Sequence, residues 1–126
     1  MFENLRFQTR FFRARLSEMR SDFQKAADLL DDVAVPNRYR SLRDAYRLRM
    51  LVLAHSPKLG LKIITAAQAY PWFQNPKSVG DRYARDYCQY IAAAVRGDVA
   101  ERKRRAQELT GLSVKRIYRN SLRVTD

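Results

Sequence analysis

Cysteine, histidine, glycine and proline are scarce in this chain of 126 residues, which contains one Cys, one His, four Gly and four Pro. The lone cysteine, Cys88, cannot form an internal disulfide, so nothing in the sequence indicates an oxidising compartment. One histidine and one cysteine cannot supply the usual His/Cys metal sites, and the chain has no glycine-rich phosphate loop and no HExxH motif. We therefore predict no metal site, no cofactor, no catalytic residues and no enzymatic activity.

Long apolar runs are also missing. The sequence contains no stretch of about 18 apolar residues that could cross a membrane. Its beginning carries acidic residues at Glu18 and Asp22 and has no hydrophobic secretory core. These absences predict a protein without a membrane role that stays in the cytoplasm, associated with the nucleoid if the source is bacterial.

Positive charge is what the chain has in excess. Lys and Arg number 25 against 13 Asp and Glu, a formal net charge of +12, and 19 of the 25 cations are Arg. Such an excess attracts polyanions: nucleic acid first, then an anionic membrane or an acidic protein surface. Arginine adds specificity because its guanidinium binds phosphate bidentately and reads guanine edges.

The composition favours one all-α domain. A hydrophobic share of 46% with seven Tyr and six Phe supports a folded core, and few helix breakers are present. We predict a single-domain bundle of about five to six helices over residues 1–126. Its parts are a long N-terminal helix over 4–32, a helical core over 37–96 and a helix-turn-helix-like unit over 98–123.

The N-terminal helix is predicted from apolar residues spaced alternately four and three apart, a pattern that places them on one stripe. They are Phe12, Leu16, Met19, Phe23, Ala26, Leu30 and Val33. Two interpretations remain open for this stripe. It is either the core-facing side of a bundle helix or the seam of a homodimer.

In the predicted core, helices cover about Arg38 to His55, Leu59 to Tyr70 and Val79 to Arg96. We expect Trp72 and Phe73, which lie between two prolines, to fill the core.

A second basic group lies in the predicted helix from about Arg38 to His55. Its arginines either neutralise the acidic residues around Asp31 or, together with Tyr39 and Tyr46, grip single-stranded nucleic acid or RNA. The group comprises Arg38, Arg40, Arg43, Arg47 and Arg49.

The last thirty residues carry the strongest functional signal. We predict a helix from Asp98 to Thr110 and another from Val114 to about Arg123. Gly111 is expected in a left-handed turn conformation between them, with Ser113 as an oxygen cap. Leu112, Ile117 and Leu122 are expected to face inward. Eight basic residues against one acid give residues 102–123 a balance of +7.

This segment resembles the helix-turn-helix family of DNA-binding proteins over about twenty residues. The resemblance lies in residues 106–119, which read AQELTGLSVKRIYR. Gln107 stands where the family usually has a small Ala, and Asn120 stands where it usually has a hydrophobic residue. The resemblance implies that the second helix enters the major groove, with candidate base readers at its N-terminal half. These are Ser113, Lys115, Tyr118 and Arg119. Candidate phosphate contacts are Arg102, Lys103, Arg105, Arg116 and Arg123.

We therefore expect a small DNA-binding protein, such as a transcriptional regulator or accessory factor, with duplex DNA as the favoured partner and RNA as the alternative. A second hypothesis is a helical adaptor or inhibitor that docks an acidic protein through its basic surface. A third, a peripheral membrane factor using the Arg- and Phe-rich start of the chain, is disfavoured because the apolar stripe continues to Val33.

Overall fold

A computed structural model describes residues 2–124 of the chain, with side chains from residue 4 onwards. Eight α-helices and a short 3-10 helix (Asn37–Tyr39) make the described residues about 75% helical, and these residues contain no strand. The helices are α1 (Phe2–Met19), α2 (Phe23–Asp28), α3 (Arg40–Ala54), α4 (Pro57–Ala67), α5 (Pro71–Gln74), α6 (Val79–Arg96), α7 (Val99–Thr110) and α8 (Arg116–Ser121). The all-α, single-domain prediction is confirmed, although the helices number eight and not five to six. Residues 1, 125 and 126 of the predicted domain lie outside the described residues.

Helices α3 and α6 form the centre of the bundle. They pack against each other, α2 and α4 pack on α3, and α4 and α7 pack on α6. Their buried side chains recur at the three- and four-residue spacing of a helix face. In α3 these include Leu42, Ala45, Tyr46 and Met50, and in α6 they include Tyr83, Ala84, Tyr87 and Cys88. Among the described helices, none is both long and apolar enough to cross a bilayer.

Local capping determines the limits of α6 and α7. The Ser78 hydroxyl accepts a hydrogen bond from the Asp81 amide (3.1 Å), and the Asp98 carboxylate accepts one from the Glu101 amide (3.1 Å). Between the two helices Gly97 adopts a left-handed conformation (φ 74°), which ends α6. The bounds predicted for both helices are therefore confirmed.

The predicted continuous helix over 4–32 is wrong, because the chain turns between α1 and α2. Ser21 has a left-handed backbone (φ 60°), and the side chain of Asp22 caps α2 by accepting from the Lys25 amide. Ser21 thus interrupts the helical backbone, and Asp22 caps a separate helix that begins at Phe23.

The face that α1 buries also differs from the prediction. Phe7, Phe11 and Ala14 are buried, whereas Phe12 is 64% and Met19 81% exposed. The second half of the predicted stripe is confirmed, since Ala26 and Leu30 are buried in and after α2. Two stripes compete on α1, and the one that includes both Phe7 and Phe11 is buried against Tyr39 and Tyr46 of the neighbouring segment. The ring centroids lie 5.7 Å apart for Phe7–Tyr39 and 4.9 Å for Phe11–Tyr46.

Arginines of α3 hold the acidic end of α2, as one of the two interpretations predicted. The Arg47 guanidinium lies 2.9 Å from the Asp31 carboxylate, and Arg43 Nη1 donates to the Leu30 carbonyl (3.0 Å). These contacts relieve the unfavourable negative charge at a helix C-terminus.

A buried polar cluster joins α3 to α5. Trp72 is 6% exposed, which confirms its predicted place in the core, and its Nε1 donates to Asp44 Oδ2 (2.8 Å). The other carboxylate oxygen of Asp44 accepts from Arg43 Nε (2.7 Å). Both oxygens of a buried carboxylate are thus satisfied, as burial of a charge requires.

Candidate nucleic-acid interface

The C-terminal segment consists of α7, a connection over residues 111–115 and the short helix α8. Helix α7 packs on α6, whereas α8 packs on α3 and α6 and makes no comparable contact with α7. Leu122 is buried, and Leu112 and Ile117 pack against the core, so their predicted inward orientation is confirmed. The segment is therefore a helix, a turn and a helix, and its second helix is docked to the bundle.

The turn differs from the prediction at both key positions. Gly111 has a right-handed backbone (φ −79°, ψ −12°), so the expected left-handed conformation is wrong. Helix α8 begins at Arg116 with Lys115 at its N-cap, so Ser113 does not cap it. The predicted helix over residues 114–123 is therefore shorter in the structure, where it covers the six residues Arg116–Ser121.

Tyr118 was expected to point outward as a base reader, and this expectation is wrong. Its side chain is 3% exposed, and its hydroxyl donates to the Arg38 carbonyl (3.0 Å) and lies 3.3 Å from Ser41 Oγ. Burial raises the pKa of Tyr118, which keeps the hydroxyl protonated as a donor. Arg38 and Ser41 lie about eighty residues earlier in the chain, so the sequence around Tyr118 does not predict this contact.

Arg119 is committed within the fold as well. Its guanidinium donates to the carbonyls of Thr110 (3.5 Å) and Leu112 and lies 5.9 Å from the centroid of the Tyr83 ring. The side chain therefore holds residues 110–112 against α8. Among the predicted base readers, Ser113 and Lys115 remain exposed.

Acidic residues of α7 neutralise part of its own basic run. Glu101 accepts from Arg104 Nη2 (2.6 Å) and from Arg105 Nε (2.9 Å), and Glu108 lies 3.3 Å from Arg104 and 3.7 Å from Arg105. The hydrogen bonds from Arg104, and then those from Arg105, hold the pKa of Glu101 below its ordinary value. Arg105, a predicted phosphate contact, is therefore paired, and it lies on the side of α7 that borders Gln68 and Phe73.

The structure brings together a different set of cations around residues 123–124. One cleft of about 460 Å³ is lined by Arg102 and Lys103 of α7 and by Val124. A second cleft, beside the preceding residue Arg123, contains Arg15 of α1 and Arg49 of α3. The two clefts are bordered by consecutive residues, Val124 in the first and Arg123 in the second. We name four cations of these clefts, which form no ion pair among the described residues, the basic band: Arg15, Arg102, Lys103 and Arg123. Arg123 also donates from Nε to the Asn120 carbonyl (3.0 Å).

The basic band contains little opposing charge. Its acid is Glu18, whose carboxylate already accepts from the Tyr46 hydroxyl (2.7 Å) and from Arg49 Nη1 (3.0 Å). Within residues 4–124, no acidic oxygen lies within 4 Å of the charged groups of the band's four members. The sequence identified the C-terminal members but missed Arg15, which is more than eighty residues away from them.

Two other predicted contacts lie elsewhere. Lys115 borders a separate cleft together with Arg38, Tyr39 and the start of α6. Arg116 is exposed at the first position of α8. They extend the positive surface but do not line the clefts of the basic band.

The described residues contain no group of three or more His, Cys, Asp or Glu side chains placed to hold a metal ion. Cys88 lies in the core, where burial raises the pKa of its thiol to about 12 and leaves it neutral.

Comparisons of the chain with known proteins find no matching family model, no matching curated protein and no matching solved structure. The function is therefore inferred from the residues of this site.

The burial of Tyr118 predicts a structural effect for Tyr118→Phe. Loss of the hydroxyl leaves the Arg38 carbonyl and Ser41 without this partner, and we expect the free energy of unfolding to fall by about 1–2 kcal/mol. Urea unfolding of the variant measures the change. Tyr70→Phe is the control and should change stability by less than about 0.5 kcal/mol, since the described residues offer its hydroxyl no hydrogen bond.

A base-reading Tyr118 would give the opposite result. Tyr118→Phe would then weaken DNA binding while leaving the free energy of unfolding unchanged, and that outcome would contradict the buried placement.

Proposed function

We propose that the protein binds duplex DNA through the basic band and serves as a non-catalytic regulator or accessory factor acting on DNA. The supporting observation is that four cations from α1, α7 and the C-terminal residues, without an ion pair among the described residues, line two clefts bordered by the consecutive residues Arg123 and Val124. The acid in these clefts, Glu18, is already bonded to Tyr46 and Arg49. Such a role would place the protein in the cytoplasm, or on the nucleoid of a bacterium.

Phosphates are the main contacts in this proposal. Four guanidinium or ammonium groups in these two clefts offer contacts to several phosphates, and phosphate contacts supply affinity without sequence information. Base reading through the middle of α8 is not favoured, because Tyr118 is buried and Arg119 is bonded to backbone carbonyls. Ser113 and Lys115 are the exposed candidates for whatever base contact is made.

The surroundings of the basic band favour a duplex over a single strand. Proteins that bind single strands combine cations with exposed aromatic rings on which bases stack. Tyr90, which borders the larger cleft, is 3% exposed, and so is Tyr118. With no stacking platform at the described part of this surface, binding depends on the phosphate backbone.

Salt dependence tests the mode of binding. Four phosphate contacts predict a slope of about −3.6 in a plot of log Kobs against log salt for B-DNA, about a hundredfold loss between 50 and 200 mM salt. Fluorescence anisotropy on a random duplex measures the slope. R102Q/K103Q/R123Q should weaken binding at least tenfold and bring the slope to about −1.

A matched control separates the basic band from net charge. R6Q/R13Q/R20Q also removes three positive charges, two from exposed positions of α1 and one from the turn that follows it. This variant should change DNA affinity by less than about threefold. Equal losses in the two triple variants would contradict a localised site. Tighter binding to single-stranded DNA or to RNA than to duplex DNA would contradict the proposed partner.

A further inference from the structure

Helix α1 exposes a row of large apolar side chains that the bundle does not use. Leu5, Phe12, Leu16 and Met19 are 62%, 64%, 37% and 81% exposed. They account for four of the seven large hydrophobic side chains found exposed in the described structure. With 100° of rotation per residue, the row occupies a sector of about 60° on one side of the helix. We name this row the outer seam.

The fold does not depend on the outer seam. Helix α1 docks on the bundle through its opposite side, where Phe7, Phe11 and Ala14 are buried. Glu18 reinforces this orientation through its bonds to Tyr46 and Arg49. An exposed apolar row that adds nothing to internal packing marks a surface for another molecule.

A row of arginines runs along one edge of the outer seam. Arg6, Arg13 and Arg20 are exposed, and each directly follows a seam position, at intervals of seven residues. Seven residues span about 10.5 Å of helix, so the arginines repeat with the heptad. The described exposed residues of α1 include no acid, because Glu18 is turned inward. The outer seam thus has a narrow apolar centre and a cationic edge.

We propose that the outer seam docks a helix of an acidic partner protein, one with apolar residues at heptad spacing and carboxylates along one edge. A narrow stripe repeating every seven residues is the form of a helix–helix seam, in which each side chain fits between those of the facing helix. Charges beside such a seam choose the partner and its orientation. A cationic edge selects an anionic one. This proposal does not depend on DNA binding by the basic band.

The charges disfavour a second copy of the chain as the occupant. In an antiparallel pair of α1 helices the same edges meet, which places one arginine row against the other. In a parallel pair the arginine row meets the opposite edge, where Gln8 and Arg15 lie. Neither arrangement offers a carboxylate from the described side chains of α1, and like charges in register are destabilising.

The width of the outer seam disfavours a lipid surface. Helices that lie in a membrane interface bury a broad apolar face at the boundary between headgroups and acyl chains. Here the apolar sector is about 60° wide, which is narrower than the roughly 100° stripe that a helix of a globular protein turns to its core. Gln8 and Thr9 also interrupt it between Leu5 and Phe12.

A designed peptide provides a direct test on the full-length protein. The probe is a labelled 21-residue helical peptide with Leu at the seam positions of three heptads and Glu along one edge, and the control peptide has Gln in place of Glu. We expect fluorescence anisotropy to show at least tenfold tighter binding of the Glu peptide. Equal binding of the two peptides, or no binding of the Glu peptide, would overturn the proposal.

Two variants of the protein complete the test. F12S/L16S should weaken Glu-peptide binding at least tenfold without loss of helicity, since both side chains are exposed. R6E/R13E/R20E should weaken it by a similar factor and create binding to a peptide with Lys along the edge. Failure of this charge swap counts against the proposal even if F12S/L16S were to unfold. Both variants should leave DNA affinity within about threefold.

The other occupants would give distinct results. Sedimentation equilibrium showing a dimer that F12S/L16S dissociates would overturn the proposal in favour of a second copy. Flotation with phosphatidylcholine/phosphatidylglycerol vesicles that F12S/L16S abolishes would overturn it in favour of a membrane surface.

Discussion

Asp44→Ala is expected to lower the free energy of unfolding by about 2–4 kcal/mol, because it removes the shared acceptor of one buried and one half-buried donor. The Trp72 indole N–H would lose its partner at 2.8 Å, and Arg43 would lose a carboxylate at 2.7 Å. Arg43 is partly exposed and still donates to the Leu30 carbonyl, so water and that bond compensate it in part. The indole is buried and has no such relief.

Urea unfolding followed by far-UV circular dichroism measures the loss, and a second aspartate provides the control. Asp31 pairs with Arg47 at 2.9 Å, but its side chain is 63% exposed, so Asp31→Ala should cost less than about 1 kcal/mol. Asp44→Asn keeps an acceptor for one donor, so its loss in free energy of unfolding should lie between those of Asp31→Ala and Asp44→Ala. Equal losses for Asp31→Ala and Asp44→Ala would show that the cluster at Trp72 does not stabilise the fold.

Gly80→Ala should destabilise the protein by about 1–3 kcal/mol, although alanine is the better helix former. A Cβ at position 80 would lie 2.6 Å from Cζ and 2.7 Å from Oη of Tyr118. The tyrosine ring cannot easily retreat, because its hydroxyl is bonded to the Arg38 carbonyl and the ring packs edge-on against Tyr83. Relieving the clash therefore displaces α8 from the bundle.

Gly111→Ala is the matched control for this substitution. Gly111 has helical backbone angles, and an added Cβ would come no closer than 3.5 Å to the Glu108 carbonyl. We expect its stability to be unchanged or slightly increased, as measured by thermal unfolding. Destabilisation by Gly111→Ala would instead support the left-handed conformation that the sequence predicted for Gly111. Unchanged stability of Gly80→Ala would contradict the close approach of Tyr118 to α6.

Helix limits were predictable for α6 and α7, where residues close in sequence form them. Ser78, Gly97 and Asp98 act on backbone groups within a few positions, and the bounds of α6 and α7 agree with the prediction. The all-α class followed from composition and period in the same way. These are local interactions, so they can be read from neighbouring residues.

The face buried by α1 could not be predicted in this way. Two stripes on α1 have helical spacing: one contains Phe12, and the other contains Phe7 and Phe11. The spacing does not show which of the two stripes packs against the bundle. The buried stripe is determined by contacts with Tyr39, Tyr46 and Arg49, which come after α2 in the chain. The left-handed Ser21, which divides the predicted helix, also lacks a sequence signal of its own.

By itself the sequence determined the helical class, the capped helices and the concentration of positive charge near the C-terminus, because these depend on residue type and short-range spacing. Only the tertiary structure decided which charges remain available. It bonded Arg119 to the Leu112 carbonyl, turned Tyr118 inward and set Arg15 beside Arg123. The physical reason is that burial and side-chain contacts depend on distances in space, and residues far apart in sequence supply the partners of Tyr118 and the neighbours of Arg15.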